Sequence, residues 1–385
     1  MKTQKNFKMK YTTSKEADEK VEKDLSIIKK IIIKEFNPIS IILFGGFGHQ
    51  GGSYKKIKGR ILPLNDYDFY ILTKERVSDE KLEAIGVKCS KAIGRGGKEI
   101  VEEFGNEYNE NEYFHVDLHN IAYRDLGKAY PTQRSFDLKT SLVIYGDDVL
   151  RKIPGIKISK SDAIRLLFNK LDHFAIAENN SEMLKSIYAV KGFTDLCSAI
   201  LIFKEKYTSK YQDRIELFKK INAPEELKKL VEKATDAKLN HGYEIKNVDE
   251  FFQQSKKWIE WTLKNLLKEH LKIKSDDWKV ICKETYKRLP YIYFNDYLGS
   301  NYLFPAQYYL NIRFFLSGFR KKEVLVKSLL RWRDSGIIVA LALVLYSFNE
   351  KKEAEVYLRK LTNKTKPLKE RILKLYSVYY LQKLI

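Results

Sequence analysis

Cysteine is scarce in this chain of 385 residues. The three present, Cys89, Cys197 and Cys282, lie far apart with no CxxC pair, which excludes a disulfide framework and a structural zinc site. They are expected to be free buried thiols. Long hydrophobic runs are missing as well. The longest, Gly336 to Phe348, is bounded by charged residues and falls short of the roughly 20 residues that a membrane helix needs. It reads as a buried helix, and no membrane partner is expected. The lysine-bearing N-terminus has no apolar stretch followed by a small-residue cleavage site, so a cytoplasmic location is expected. Apolar residues, at 44%, suffice for a sizeable core, and the length suits two or three domains.

Charge is unevenly spread. Residues 1–150 hold 25 Lys and Arg against 23 Asp and Glu, a net +2, so the remainder carries +19 of the total +21. A basic second half can neutralise nucleic-acid phosphates, although a lysine-rich proteome gives the same count without such a partner.

The apolar spacing of Val21, Leu25, Ile28 and Ile32 predicts an amphipathic helix over Ser14 to Glu35, ended by Pro38. Ser40 to Phe44 reads as a short strand, with Gly45, Gly46 and Gly48 forming the turn after it. Asp66 to Leu72 and Tyr113 to Ala122 alternate as strands, separated by a helical stretch from Asp79 to about Phe104 that Gly94, Gly96 and Gly97 interrupt. A short helix over Gln133 to Ser141 and a small strand at Leu142 to Tyr145 follow. Beyond Pro154 the spacing is helical almost throughout, with connections at Asn240 to Asn247 and around Asp276 and Asp277. The expected architecture is α+β: a small mixed-sheet domain at 1–155, a helical domain at 156–275 beside the site, and a C-terminal helical domain at 276–385.

The chemistry gathers in the first of these. In a strand, residues i and i+2 share a face, so Asp66 and Asp68 project together while Tyr67 and Phe69 pack behind them. Asp117 on a neighbouring strand adds a third carboxylate. Divalent cations that bridge a triphosphate, an attacking hydroxyl and a leaving pyrophosphate need several carboxylates in one small volume. The glycine turn supplies backbone amides that approach phosphates without a Cβ in the way.

In these residues the chain resembles the polymerase-beta-like nucleotidyltransferases, over roughly residues 35 to 155. Gly45 and Gly46 match that family's turn, Asp66 and Asp68 its paired carboxylates, and Asp117 its later single carboxylate. The resemblance implies a mixed-sheet catalytic domain, a nucleoside triphosphate substrate and two Mg²⁺ ions, with Mn²⁺ as a substitute, held by Asp66, Asp68 and Asp117. It also implies transfer of a nucleoside monophosphate to an acceptor hydroxyl, with an RNA 3′ end, a small molecule or a protein as acceptor. A non-catalytic nucleotide- or RNA-binding module is the alternative from another class. Gly46 departs from the serine common at that position, and 20 positions separate it from Asp66, a long spacing that holds Lys55, Lys56, Lys58 and Arg60. A basic flap over phosphates and a solvated surface hairpin both fit that insertion.

Other residues are less distinctive. His115, Asp117 and His119 share one strand face, a spacing that also suits a transition metal and a phosphoesterase. His49 stands where a phosphate contact is conceivable. Lys191 to Glu216 resembles the helix and tyrosine-bearing turn beside the active site of two-domain relatives, which implies that Lys191 or Arg214 reaches the nucleotide. The aromatic stretch Tyr291 to Phe315 fits core packing better than base stacking. A faint echo between Phe314 to Glu323 and Leu343 to Glu353 fits ordinary helix pairs.

Overall fold

The computed structural model describes residues 9–98, 109–298, 335–361 and 366–379. The chain begins with α1 (Lys15–Phe36), whose N-cap Ser14 accepts a hydrogen bond from the Ala17 amide. It buries Val21, Leu25, Ile28 and Ile32 along one stripe and closes at Asn37, in the left-handed region just before Pro38. Then come β1 (Ser40–Leu43), the single turn α2 (Gly45–Gly48), the hairpin β2 (Tyr54–Ile57) and β3 (Arg60–Pro63), β4 (Asp66–Thr73), α3 (Asp79–Ala92), β5 (His115–Ala122), α4 (Gln133–Lys139) and β6 (Leu142–Gly146). The helix expected to reach Phe104 stops at Ala92, ahead of Gly94, whose φ of +80° no helix accommodates; residues 99–108 lie outside the described set.

Four strands form one mixed sheet in the order β5-β4-β1-β6. The β4 and β5 strands run parallel, with Asp66 opposite His115, Asp68 opposite Asp117 and Tyr70 opposite His119. Strand β1 is antiparallel to both β4 and β6. The pleat sorts the side chains. Tyr67, Phe69, Val116 and Leu118 point into a core shared with Val21, Leu25 and Ile28 of α1 and Leu82 and Cys89 of α3. The other face carries the half-buried Asp66, Asp68, Tyr70, His115, Asp117 and His119. Further along it, Ile42 and Leu72 pack against Leu138 of α4.

The insertion between the turn and Asp66 is the hairpin β2–β3, closed at Lys58 and Gly59 with both φ angles positive, as a tight hairpin turn requires. Two of its lysines pair with carboxylates elsewhere in the chain: Lys55 with Glu244 at 3.0 Å and Glu110 at 3.5 Å, and Lys56 with Glu16 at 2.9 Å. Lys56, Lys58 and Arg60 are exposed, so the hairpin presents positive charge at the surface.

The helical half comprises α5 (Lys160–Ala177), α6 (Glu182–Phe203), α7 (Tyr211–Lys219), α8 (Glu225–Asn240), α9 (Val248–Leu271), α10 (Trp278–Leu298) and the helices Ser335–Ser347, Lys351–Leu358 and Leu368–Tyr379. One apolar cluster runs from Ala163 of α5 to Tyr376 of the last helix. Helix α6 is long and apolar enough to cross a membrane by length and composition, and 89% of its most apolar stretch is buried inside the protein. Ser335–Ser347 is the buried apolar helix expected there, with Ile338 to Leu345 at 1% exposure or less. All three cysteines are free and buried. A small mixed sheet followed by helices is the α+β arrangement expected. The aromatic stretch 291–315 lies almost wholly outside the residues whose side chains are described, as does 314–323, one half of the echo.

Candidate metal and nucleotide site

Parallel pairing of β4 with β5 places Asp68 beside Asp117, and alternation brings His119 to the same face. One ligand atom from each of Asp68, Asp117 and His119 lies within 4.8 Å of the other two. His119 Nε2 sits 3.0 Å from Asp117 Oδ2. Asp66 occupies the same face at the start of β4, with its carboxylate 3.9 Å from His115 Nε2. Its charge acts on Asp68, and it stands outside the tighter three-residue group.

Electrostatics mark Asp68 as the crowded member. Burial, then the negative charges of Asp66 and Asp117, push its carboxyl well above the usual range, while Arg134 and Lys191 pull the other way. At Asp117 burial also favours the neutral acid. There, the hydrogen bond and charge of His119, with His115 and Arg134, outweigh it and hold the group below the ordinary range. A cation between these carboxylates would relieve the repulsion at Asp68, so the donor set fits a divalent ion of oxygen and nitrogen preference.

The turn after β1 is built against the carboxylate. Gly45 has φ +64°, and a Cβ there would overlap the Asp68 carboxylate oxygen. The Phe44 amide donates to the Asp68 carbonyl at 2.9 Å, so turn and strand are tied together. A Cβ on Gly48 would strike the Leu43 carbonyl, and the Gly48 N–H is taken by the Phe44 carbonyl at 3.1 Å. Gly48 therefore shapes the turn rather than offering an amide. Gly46 is enclosed by Gly51, whose carbonyl would lie 3.1 Å from an added Cβ. Tyr211 of α7 and Phe47 wall the following Gly51 and Gly52.

Two expected residues are committed elsewhere. His49 is buried, with Nδ1 2.8 Å from the Gly45 carbonyl and Nε2 2.9 Å from the Asp137 carbonyl, so it braces the turn from beneath and leaves no nitrogen for a phosphate. Arg214 is 4% exposed and donates to the Thr208 and Ser209 carbonyls, Ser198 and Tyr207. Each of its three side-chain nitrogens is engaged in these bonds. Lys191, by contrast, is half-buried on α6, and its charge acts on Asp68 across the two halves.

Three groups that sequence reasoning did not single out complete the setting. Arg134 of α4 lies over the rings of Phe44 and Tyr70, at 5.8 and 5.4 Å, and donates to the Tyr70 hydroxyl. That places a guanidinium above the face that carries Asp68 and Asp117. Lys238 of α8 is 6% exposed and reaches Tyr243 at 3.1 Å and Ser53 at 3.2 Å. Tyr243 joins the halves: its phenol oxygen also faces donors on Ser53, at 2.9 Å, and Asn65, the residue preceding Asp66. Asn65 and Tyr243 both have positive φ, so this contact holds two strained backbones at the mouth of β4.

Three donors around one phenol oxygen favour the phenolate. Burial raises Tyr243, but the charges of Lys238 and Lys191 and the hydrogen bonds from Ser53 and Lys238 bring it below the ordinary tyrosine value. An alkaline titration followed at 295 nm is expected to show one tyrosine ionising ahead of the rest. Tyr243→Phe removes that early step and Lys238→Met moves it into the main transition; an unchanged curve in both variants contradicts the assignment.

No family model and no curated protein matches the chain. Four solved chains match. One is the crystal structure of spectinomycin adenyltransferase AAD(9) from Enterococcus faecialis with ATP and spectinomycin, 17% identical with a TM-score of 0.39; the match covers 62% of this chain and 99% of that one.

Proposed function

We propose that this protein is a metal-dependent nucleotidyltransferase that moves a nucleoside monophosphate from a nucleoside triphosphate to an acceptor hydroxyl and releases pyrophosphate. One observation supports this above all. Asp66, Asp68 and Asp117 share a face of two adjacent parallel strands, and Gly45 of the glycine turn, with no side chain of its own, lies directly on Asp68.

In this reading Asp68 and Asp117, with Asp66 beside them, would hold divalent cations of the Mg²⁺ kind, which would supply Lewis-acid polarisation of the phosphate and neutralise charge on the leaving pyrophosphate. The chain's own residues do the rest. The Gly45–Gly46 turn seats the triphosphate by close backbone approach. Lys191 and Arg134 supply positive charge from the helical half and from α4. The acceptor oxygen attacks the α-phosphorus as the bond to the bridging oxygen breaks. Its proton passes to the Asp117 carboxylate, beside which His119 Nε2 lies at 3.0 Å.

The acceptor follows from the helical half less directly. Its net excess of +19 favours an RNA 3′ end, with a small molecule or a protein hydroxyl as the alternative acceptor. The assay therefore carries separate arms. Protein incubated with α-labelled nucleoside triphosphates and Mg²⁺ is expected to label total RNA, a small-molecule extract or protein in one arm. Pyrophosphate appears in step, and Asp66→Ala with Asp68→Ala abolishes both. Label that persists in the double variant overturns the reading, and phosphate-ester hydrolysis without a triphosphate donor replaces it with a phosphoesterase.

A further inference from the structure

His119 introduces a nitrogen donor into a site whose other ligands are oxygen. Two metal–ligand bonds of about 2.1 Å at a right angle put their donor atoms about 3.0 Å apart. The observed separation of His119 Nε2 from Asp117 Oδ2 is 3.0 Å, and Asp68 completes the group within 4.8 Å. His119 and Asp117 thus have the spacing of adjacent ligands, and Asp68 stands close enough for a small side-chain shift to bring its oxygen to the same ion, with His119 Nε2 exchanging its contact with Asp117 for the cation.

The imidazole is held in that place. Alternation along β5 sets His119 on the face of Asp117, and the register sets Tyr70 opposite it. The two rings lie 5.1 Å apart at 38°, and Arg134 in turn packs over Tyr70 and donates to its hydroxyl. Ring, tyrosine and guanidinium form a stack that limits where Nε2 can go. Mg²⁺ takes oxygen ligands and gains little from an imidazole, whereas first-row transition-metal dications accept mixed nitrogen and oxygen sets.

We infer that His119 is a ligand, with Asp68 and Asp117, to a first-row transition-metal dication, and that it biases this site toward such ions over Mg²⁺. The inference rests on the metal-site reading proposed above and adds which ion the site selects. The probes are Mn²⁺, Co²⁺ and Mg²⁺ themselves, titrated into the full-length protein. Mn²⁺ is followed by electron paramagnetic resonance, Co²⁺ by its visible absorption and Mg²⁺ by displacement of Mn²⁺.

The wild type is expected to bind Mn²⁺ and Co²⁺ at least about tenfold more tightly than Mg²⁺. His119→Ala should reduce Co²⁺ and Mn²⁺ affinity by about tenfold or more while shifting Mg²⁺ by less than about threefold, and it should change the Co²⁺ absorption band. His119→Gln, which keeps a hydrogen-bonding side chain near Asp117, is expected to lose the same preference with its circular dichroism unchanged. Equal losses for all three ions, or no loss for Co²⁺ and Mn²⁺, overturn the role of His119. Asp68→Asn separates this outcome from failure of the underlying reading. If it leaves the affinity for every ion intact, the metal site itself is refuted; if it abolishes binding while His119→Ala does not discriminate, only the inference about selectivity falls.

Discussion

Gly45→Ala is expected to lower nucleotide turnover by at least about a hundredfold while leaving a folded protein. Two independent causes act at this residue. Its φ of +64° costs a side chain roughly 1–2 kcal/mol. In addition, the new methyl group would occupy the position of the Asp68 carboxylate oxygen, so either the turn or the carboxylate must move. Both belong to the proposed site, and a displacement of about 1 Å is enough for a loss of that size. Gly59→Ala is the matched control. Its φ is also positive, at +77°, but an added Cβ meets nothing within 4 Å, so it should cost about 1 kcal/mol of stability and leave turnover unchanged. Pyrophosphate release and thermal unfolding of the two variants distinguish strain from damage to the site. Equal activities in the two would show that the contact with Asp68 is unimportant.

The second large effect lies in the helical half. Asp172 of α5 is 8% exposed, and its carboxylate accepts from the His173 backbone amide at 2.8 Å. Burial pushes its carboxyl up from 3.8 to about 7, with Lys170 and the amide only partly opposing. Neighbouring His173 provides no countercharge, because burial together with Lys170 and Lys191 holds its ring neutral. In the unfolded chain Asp172 ionises near its ordinary value, whereas the folded protein keeps the proton until about pH 7. The stability this confers is complete below about pH 4, declines as pH rises and is gone above about pH 7. The difference between 3.8 and about 7 corresponds to roughly 4 kcal/mol at most, and relaxation around the buried charge reduces it. Asp172→Asn, which cannot ionise, should match the wild type near pH 3 and exceed it by about 2–4 kcal/mol at pH 8. Urea unfolding at both values tests this. A variant no more stable than the wild type at pH 8 contradicts the buried, uncompensated carboxyl.

Much of the first half was legible because its signals are local. Strand alternation alone put Asp66 and Asp68 on one face with Tyr67 and Phe69 behind, and the glycine turn falls where the chain must pass a carboxylate without a Cβ. The sequence order of β4, α3 and β5 was readable too, but their parallel register was not. That register is what places His119, two residues beyond Asp117, within 4.8 Å of Asp68.

The residues that were missed depend on contacts between distant segments. Arg134 sits on a seven-residue helix where any arginine reads as surface, and only the packing of α4 over the sheet aims it at Phe44 and Tyr70. Lys238 did leave a trace. Leu227, Val231, Ala234 and Lys238 fall on one helical stripe, so this lysine occupies an apolar face, a signal easily lost among the other lysines of α8. His49 and Arg214 were read as phosphate contacts because a basic residue beside a glycine turn or a tyrosine-bearing turn suggests one, but the ring nitrogens of His49 and the guanidinium of Arg214 are engaged with backbone carbonyls.

The central claim is that the shared face of β4 and β5, beneath the glycine turn, binds a metal–triphosphate complex. Calorimetry with α,β-methylene ATP, which binds without transfer and needs no acceptor, tests it most directly. Wild-type protein is predicted to bind the analogue only when a divalent cation is present, and the Asp66→Asn, Asp68→Asn double variant to show no such binding despite an unchanged fold. Binding of equal strength in the double variant, or in the wild type with all divalent cations chelated, would contradict the account.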